Sequence, residues 1–379
     1  SRVCTALAIA NNFFKITLPE GVEIAPYDYD ADGNLTLTPS VWTATTFKPD
    51  TNSLFMRLSF RKPDNSAITL DDLAGIKIVY PTKISTDMIE DGAVTAAKLA
   101  DDVKELLGHK TIVAMFMGQS NMGGRGDNPA DYPKVEDGAG FEFKAISDPT
   151  KLYPLQEPFG ANENKASGIS EPGAKTGSMV AAFVNELYNL ANVTTVGVSA
   201  SKGGSTISEW QPNGPFLDDS IARLGDVTDW LDTNDYPVNH KYMFWLQGES
   251  DGDSGTSQSD YIEALNTTIT AMENAGIEHT FLIRIGNYNG TGTQTYSEIM
   301  QAQTEFCKTR KNVTLISTTL DKFKQAGLMK DDFHYTQKAY NILGEDVAHN
   351  LAEYFSTGKE PMMYDWTNSG LYFSSEPKI

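Results

Sequence analysis

The chain has 379 residues, 40% of them hydrophobic and 21% charged, with a formal net charge of −20. That composition fits a globular protein of two or three domains. The acidic balance argues against nucleic acid, whose phosphates need clustered Lys and Arg, and no apolar stretch approaches the ~20 residues of a membrane-spanning helix.

Residues 1–82 read as a small all-β module, with strand candidates at 13–18, 53–60 and 76–80 separated by turn residues. It is either an attachment module or a carbohydrate-binding one. Asp28, Asp30, Asp32 and Gly33 copy the start of a calcium loop. Pro39 stands at the twelfth position, where that loop needs a bidentate acid, so the segment reads as a hairpin turn. Residues 83–108 change character. Ile84, Ile89, Val94 and Leu99 recur every five residues, followed by Val103 and Leu106. The spacing is neither helical nor strand-like until the last turns, which are helical. So thin a segment cannot bury its own stripe, which predicts an oligomerisation stalk or a linker docked on the next domain. The segment resembles connectors in phage tail fibres, where such stripes pack against copies of themselves. That resemblance implies a homotrimer, a virion-tail or extracellular setting, and other tail proteins as partners. The chain starts at Ser1, so it reads as trimmed or as a fragment.

From 109 to 357 strands and helices alternate. Strands are expected at 111–117, 194–200, 241–246, 279–285 and 313–319, and helices at 177–192, 216–231, 259–276, 295–310 and 337–355. Such alternation predicts an α/β domain with a parallel sheet and right-handed crossovers. Beyond 357 the pattern lapses, and 358–379 reads as a tail or the start of a further domain.

Three of the predicted strands end in chemically suggestive segments. The run 111–117 leads into Gly118-Gln119-Ser120-Asn121-Met122, the run 194–200 into Ser201-Lys202-Gly203-Gly204-Ser205, and the run 241–246 into Gln247-Gly248-Glu249-Ser250-Asp251. Open α/β sheets place their chemistry at such carboxyl ends. Near the end of the chain comes Asp331-Asp332-Phe333-His334, followed by a predicted helix. A serine, a glycine pair, a side-chain amide and a carboxylate three residues before a histidine are the parts of an acyl-transfer site. His109, His240, His279 and His349 lack such surroundings.

These four ordered segments resemble the blocks of SGNH hydrolases, and more narrowly the sialate O-acetylesterases and carbohydrate esterase family 6, over about 111–354. The broad superfamily carries asparagine in its third block, and Gln247 here matches the narrower branch. The resemblance implies a three-layer, flavodoxin-like fold and a serine esterase removing acetyl groups from a carbohydrate, expected to be a bacterial surface polysaccharide. It implies Ser120 as nucleophile, His334 as base and Asp331, rather than Asp332, as its acid. The oxyanion hole would combine the Ser120 N–H, the N–H of Gly204 or Gly203, and the Gln247 side-chain amide. Gln119, Asn121 and Glu249 are candidate substrate contacts. Glu249 and Asp251 could instead brace Gln247 or Arg284, or cap the next helix. No metal or cofactor is called for, and two cysteines and five histidines exclude a cysteine-rich zinc site. Cys4 and Cys307 fall in different predicted domains, so no disulfide is expected between them, and Cys307 reads as a buried helix residue. The alternatives are a glycan receptor-binding protein with a vestigial esterase fold, a secreted acetylxylan-type esterase, and a lipase, for which no apolar lid stands near the blocks.

Overall fold

The computed structural model describes residues 110–291, 295–361 and 363, together with strand backbones at 3–8, 14–17, 23–29, 35–37, 46–47, 55–61, 77–79, 364–365 and 370–372. Two compact units divide the chain, Ser1–Leu107 and Gly108–Ile379. In the first, β1 (Val3–Ala8), β6 (Phe55–Arg61), β3 (Glu23–Tyr29) and β4 (Leu35–Leu37) form an antiparallel sheet in that order. A second antiparallel sheet joins β5 (Thr46–Phe47), β2 (Phe14–Thr17) and β7 (Lys77–Val79). The strands on either side of Asp32-Gly33 pair antiparallel, with Asp28 opposite Leu37. The turn itself, the segment 83–108 with its apolar stripe, and His109 lie outside the described residues.

The second unit is an α/β domain around a seven-stranded, mostly parallel sheet. Its strands are β8 (Lys110–Gly118), β9 (Gly140–Lys144), β10 (Asp148–Pro154), β11 (Val193–Ser201), β12 (His240–Leu246), β13 (His279–Ile283) and β14 (Val313–Ser317), in the order β10-β9-β11-β8-β12-β13-β14. Within this sheet only the β9–β10 pair is antiparallel. That hairpin escapes the sequence reading because β9 is short, with Glu142 between its two phenylalanines, and β10 is largely polar with no buried residue. By contrast β8 and β11 are buried along nearly their whole length, as strands covered on both faces must be.

The helices are α1 (Ser120–Gly123), α2 (Val180–Ala191), α3 (Pro215–Thr233), α4 (Glu249–Ser254), α5 (Gln258–Asn274), α6 (Ser297–Thr309) and α7 (Gln337–Thr357). Their ends carry the expected signals. Pro215 opens α3, and the Ser257 and Thr336 hydroxyls accept N–H bonds at the starts of α5 and α7. α2 packs on α7 and α5 on α6. Phe116 anchors the core, with ring centroids 5.3–5.8 Å from those of Phe159, Phe183 and Phe244. Cys307 is fully buried on α6.

Parallel register decides where the loops meet. Gly118 at the end of β8 stands opposite Ser201 on β11 and Leu246 on β12. The three segments that leave these strands therefore emerge side by side at one edge of the sheet, where doubly wound folds bind ligands.

Candidate active site

Ser120 is the first residue of α1, directly past β8, and is 6% exposed. Its Oγ lies 3.0 Å from His334 Nε2. The His334 Nδ1 lies 3.0 Å from Asp331 Oδ2, while Asp331 Oδ1 accepts the N–H groups of Phe333 and His334 at 2.8 and 2.7 Å. Partial burial pushes the Asp331 carboxyl up, but the hydrogen bonds from Phe333 and His334 outweigh it and hold the group below the ordinary carboxylate range. An ionised carboxylate only accepts, so Nδ1 carries the proton and Nε2 is left to accept from Ser120.

The loop bearing these residues is tied at both ends. Lys330 N–H donates to the His334 carbonyl at 2.8 Å, and Thr336 N–H to the Leu328 carbonyl at 2.9 Å. It is also tied to α1, because Asn121 Nδ2 donates to the Phe333 carbonyl at 3.1 Å.

The glycine pair divides its labour. At Gly203 a Cβ would sit 2.5 Å from Glu171 Oε1 and 3.3 Å from the Ser120 Cβ, so a larger residue would displace the Glu171 carboxylate. Its N–H is spent on Glu171 Oε1 at 2.7 Å, and Arg125 Nη2 pairs with the same oxygen at 2.7 Å. Gly204 has φ +69, and a Cβ there would meet no heavy atom within 4 Å, so its Cα faces open space. Among the described residues no hydrogen bond uses the N–H of Ser120 or of Gly204, leaving two donors at the pocket wall.

Gln247 corrects the sequence reading. It is wholly buried, and its Nε2 donates to the Ser205 carbonyl at 3.0 Å and to Asp251 Oδ2. Both amide hydrogens are consumed and Gln247 is not part of the pocket wall, so it is no oxyanion donor. It is a brace: Asp251 also accepts Ile207 N–H at 2.8 Å, so the pair pins the segment that follows Gly204. Gln247→Ala is expected to cost about 2–4 kcal/mol of stability through a cavity and unpaired buried acceptors. A fall in kcat at unchanged melting temperature would return the amide to the oxyanion site.

Of the other candidates, Gln119 lines the pocket while its Oε1 accepts Gly248 N–H at 3.1 Å and Ser250 N–H at 3.3 Å, clasping two loops together. Asn121 spends both amide hydrogens on Glu249 (2.6 Å) and Phe333, and its oxygen accepts Tyr340 Oη at 2.7 Å, so it ties loops and has no donor left for a substrate. Glu249 lines the pocket but is 3% exposed, and its Oε2 has no partner. It does not brace Arg284, which pairs with Asp321. His240, His279 and His349 bond Glu278, Thr314 and Glu186 away from the site.

Burial pushes the Glu249 carboxyl up to about 7, against the lowering bond from Asn121. A carboxyl raised in the folded state favours folding below the ordinary value of 4.5, and that contribution is lost as pH rises towards 7. Glu249→Gln is therefore expected to shrink the stability difference between pH 5 and pH 8 by on the order of 2–3 kcal/mol in denaturant melts. An unchanged difference would mean that the group ionises freely.

The pocket encloses about 300 Å³ and is also lined by Arg125, Glu171, Ser250, Asp253 and Phe333. Ser250 and Phe333 lie within the segments singled out by sequence, whereas Arg125, Glu171 and Asp253 were not marked there. Among the described residues no cluster of His, Cys, Asp and Glu could hold a metal ion, and no helix is long and apolar enough to cross a membrane.

A family model described as carbohydrate esterase, sialic acid-specific acetylesterase, matches residues 110–353. The chain belongs to this carbohydrate esterase family. The match spans the whole of the sheet and every site residue described above. No curated protein matches the chain. Among solved structures, a protein from Arabidopsis thaliana aligns at 19% identity and a TM-score of 0.47 over 65% of this chain and 98% of its own. A carbohydrate acetylesterase from Xanthomonas citri aligns at 14% and 0.40 over 95% and 72%. An acetylxylan esterase from Geobacillus stearothermophilus aligns at 11% and 0.35 over 63% and 93%. As a carbohydrate esterase, the chain must supply a nucleophile or an activated water and a site for the negative charge that develops on the ester oxygen.

Proposed function

We propose that residues 110–357 remove O-acetyl groups from a carbohydrate by a serine-based, two-step acyl transfer. The observation that carries this reading is the continuous chain of contacts from Ser120 through His334 to Asp331, at 3.0 Å each, at the floor of a pocket with two unspent N–H donors. His334 takes the Ser120 proton as Oγ attacks the acetyl carbonyl. The tetrahedral oxyanion is met by the N–H groups of Ser120 and Gly204. Protonated His334 then returns the proton to the departing sugar hydroxyl. Water, deprotonated by His334, releases acetate and restores Ser120. Asp331 holds the imidazole in the competent tautomer and balances its charge. The test is acetate release from a panel of acetylated xylan, pectin, sialosides and bacterial capsules. No release from any of them, by folded protein, would remove the reading.

The wider setting belongs to the same proposal. The stripe at 84, 89, 94, 99, 103 and 106 supports a homotrimer on a virion tail or outside the cell, with residues 1–82 attaching it to other tail proteins and a bacterial surface polysaccharide as substrate. Burying each such side chain is worth roughly 1.5–3 kcal/mol, which a thin segment gains only from a partner. Three linked sites would hold a polymer with avidity. Light scattering is expected to give three times the 41.5 kDa chain mass, and deletion of 1–108 an active monomer. A monodisperse full-length monomer at micromolar concentration would remove the trimer and leave the esterase untouched.

A further inference from the structure

Phe333 is one of three exposed large hydrophobics among the described residues, 39% exposed, and the only one of the three on the pocket wall. Its main chain is fixed at both ends, the N–H on Asp331 and the carbonyl on Asn121. The bonds that hold His334 in place thus also hold the neighbouring ring at the mouth of the pocket. That ring lies 6.2 Å from the imidazole and 5.5 Å from the Tyr288 ring, which in turn lies 6.0 Å from Tyr296. Ser250 and Asp253 line the same pocket, and Asp253 Oδ1 accepts Tyr296 Oη at 2.9 Å. Desolvation, then the charges of Asp332 and Asp253, raise the Tyr288 phenol, which places both carboxylates within electrostatic range of the platform.

Of the nearby cations, Lys324 stands at the platform, its Nζ donating to the Tyr288 carbonyl at 2.7 Å, one ammonium against the carboxylates of Asp332 and Asp253. Arg125 pairs with Glu171, and the Nζ atoms of Lys202 and Lys330 donate to the Gly203 and Arg125 carbonyls.

We infer that Phe333, backed by Tyr288, is the platform on which an uncharged pyranose ring, the leaving-group sugar, stacks while its acetyl group enters the pocket. This rests on the esterase reading above. The ring's C–H face meets the electron-rich face of Phe333, and its hydroxyls point to Ser250 and Asp253. A sugar carboxylate in the same place would face Asp253 and Asp332. The platform accordingly selects neutral sugars over anionic ones.

The experiment compares kcat/KM for three acetyl esters: an acetylated neutral xylo-oligosaccharide, an acetylated uronide oligosaccharide and methyl acetate. In Phe333→Ala the ratio of the neutral oligosaccharide to methyl acetate is expected to fall roughly tenfold or more, chiefly through KM. Phe333→Trp should recover that ratio to within a few-fold. Wild type should favour the neutral oligosaccharide over the uronide, by a margin that narrows as salt screens the carboxylates. A ratio unmoved by Phe333→Ala, or a Trp variant as impaired as the Ala variant, overturns the platform. Equal turnover of uronide and neutral sugar overturns the neutral selection. If wild type hydrolyses none of the three, the esterase reading is left to the acetate-release panel above. The platform is then decided by Phe333→Trp emission on addition of deacetylated xylo-oligosaccharide, where no change beyond that of wild type overturns it.

Discussion

Ser120→Ala is expected to lower kcat by roughly 10³–10⁶ while the protein stays folded, the range seen when the nucleophile of a triad is removed. The size follows from the role. Among the described residues no other hydroxyl makes the 3.0 Å contact to the His334 ring, so without Oγ the imidazole has nothing to activate but water. Structure should survive because the change deletes one oxygen whose hydrogen-bond partner is His334, and because α1 is set by the main chain, with Met122 and Gly123 N–H both on the Gln119 carbonyl at 3.0 Å. Initial rates on a small acetyl ester, with circular dichroism and melting temperature as controls, check it. Retention of more than a tenth of wild-type activity would mean that another group attacks the ester.

The parallel strands were legible because burial on both faces demands continuous apolar runs, and 111–117, 194–200 and 241–246 each supply one. Their convergence was legible too, since parallel neighbours end at the same edge. What could not be read was the direction of a single side chain beyond a strand end. Gln247 follows β12 as Gln119 follows β8, yet one amide is folded under the loop onto Asp251 while the other lines the pocket. Both leave their strands at the same register, Gly118 opposite Leu246, so strand alternation does not separate them; the turns that follow do, with Ser120 opening α1 after Gln119 and Gly248 at φ +149 after Gln247. Glu171 escaped for another reason. It sits between 155 and 178, a stretch without regular secondary structure, and is brought to Gly203 only by tertiary folding. The antiparallel β9–β10 hairpin was missed because the edge strand β10 is polar and β9, though mostly buried, is too short and too mixed to show an apolar run.

Asp331→Asn is expected to lower kcat by about 10³–10⁴ with little change in KM, a smaller loss than removing His334 itself. The reason is tautomer control. Asp331 Oδ2 accepts from His334 Nδ1 at 3.0 Å, which leaves the Nε2 lone pair for Ser120. An asparagine keeps one oxygen for the N–H groups of Phe333 and His334, so the loop is retained, but its amide nitrogen then faces Nδ1 as a donor. The imidazole must answer with a bare Nδ1 and a protonated Nε2, and a protonated Nε2 cannot take the serine proton. The pH profile separates the two members of the pair. Because its pKa is depressed, Asp331 stays ionised until pH falls below the ordinary carboxylate range, and the stability it lends above that range is lost only there. An acid-side loss of wild-type kcat/KM that sets in at higher pH therefore does not report Asp331. His334→Ala should be nearly inactive, whereas His349→Ala, which loses only a surface pair with Glu186, should keep its activity. An Asp331→Asn enzyme within tenfold of wild type would show that Asp331 holds the loop and leaves the tautomer to other groups.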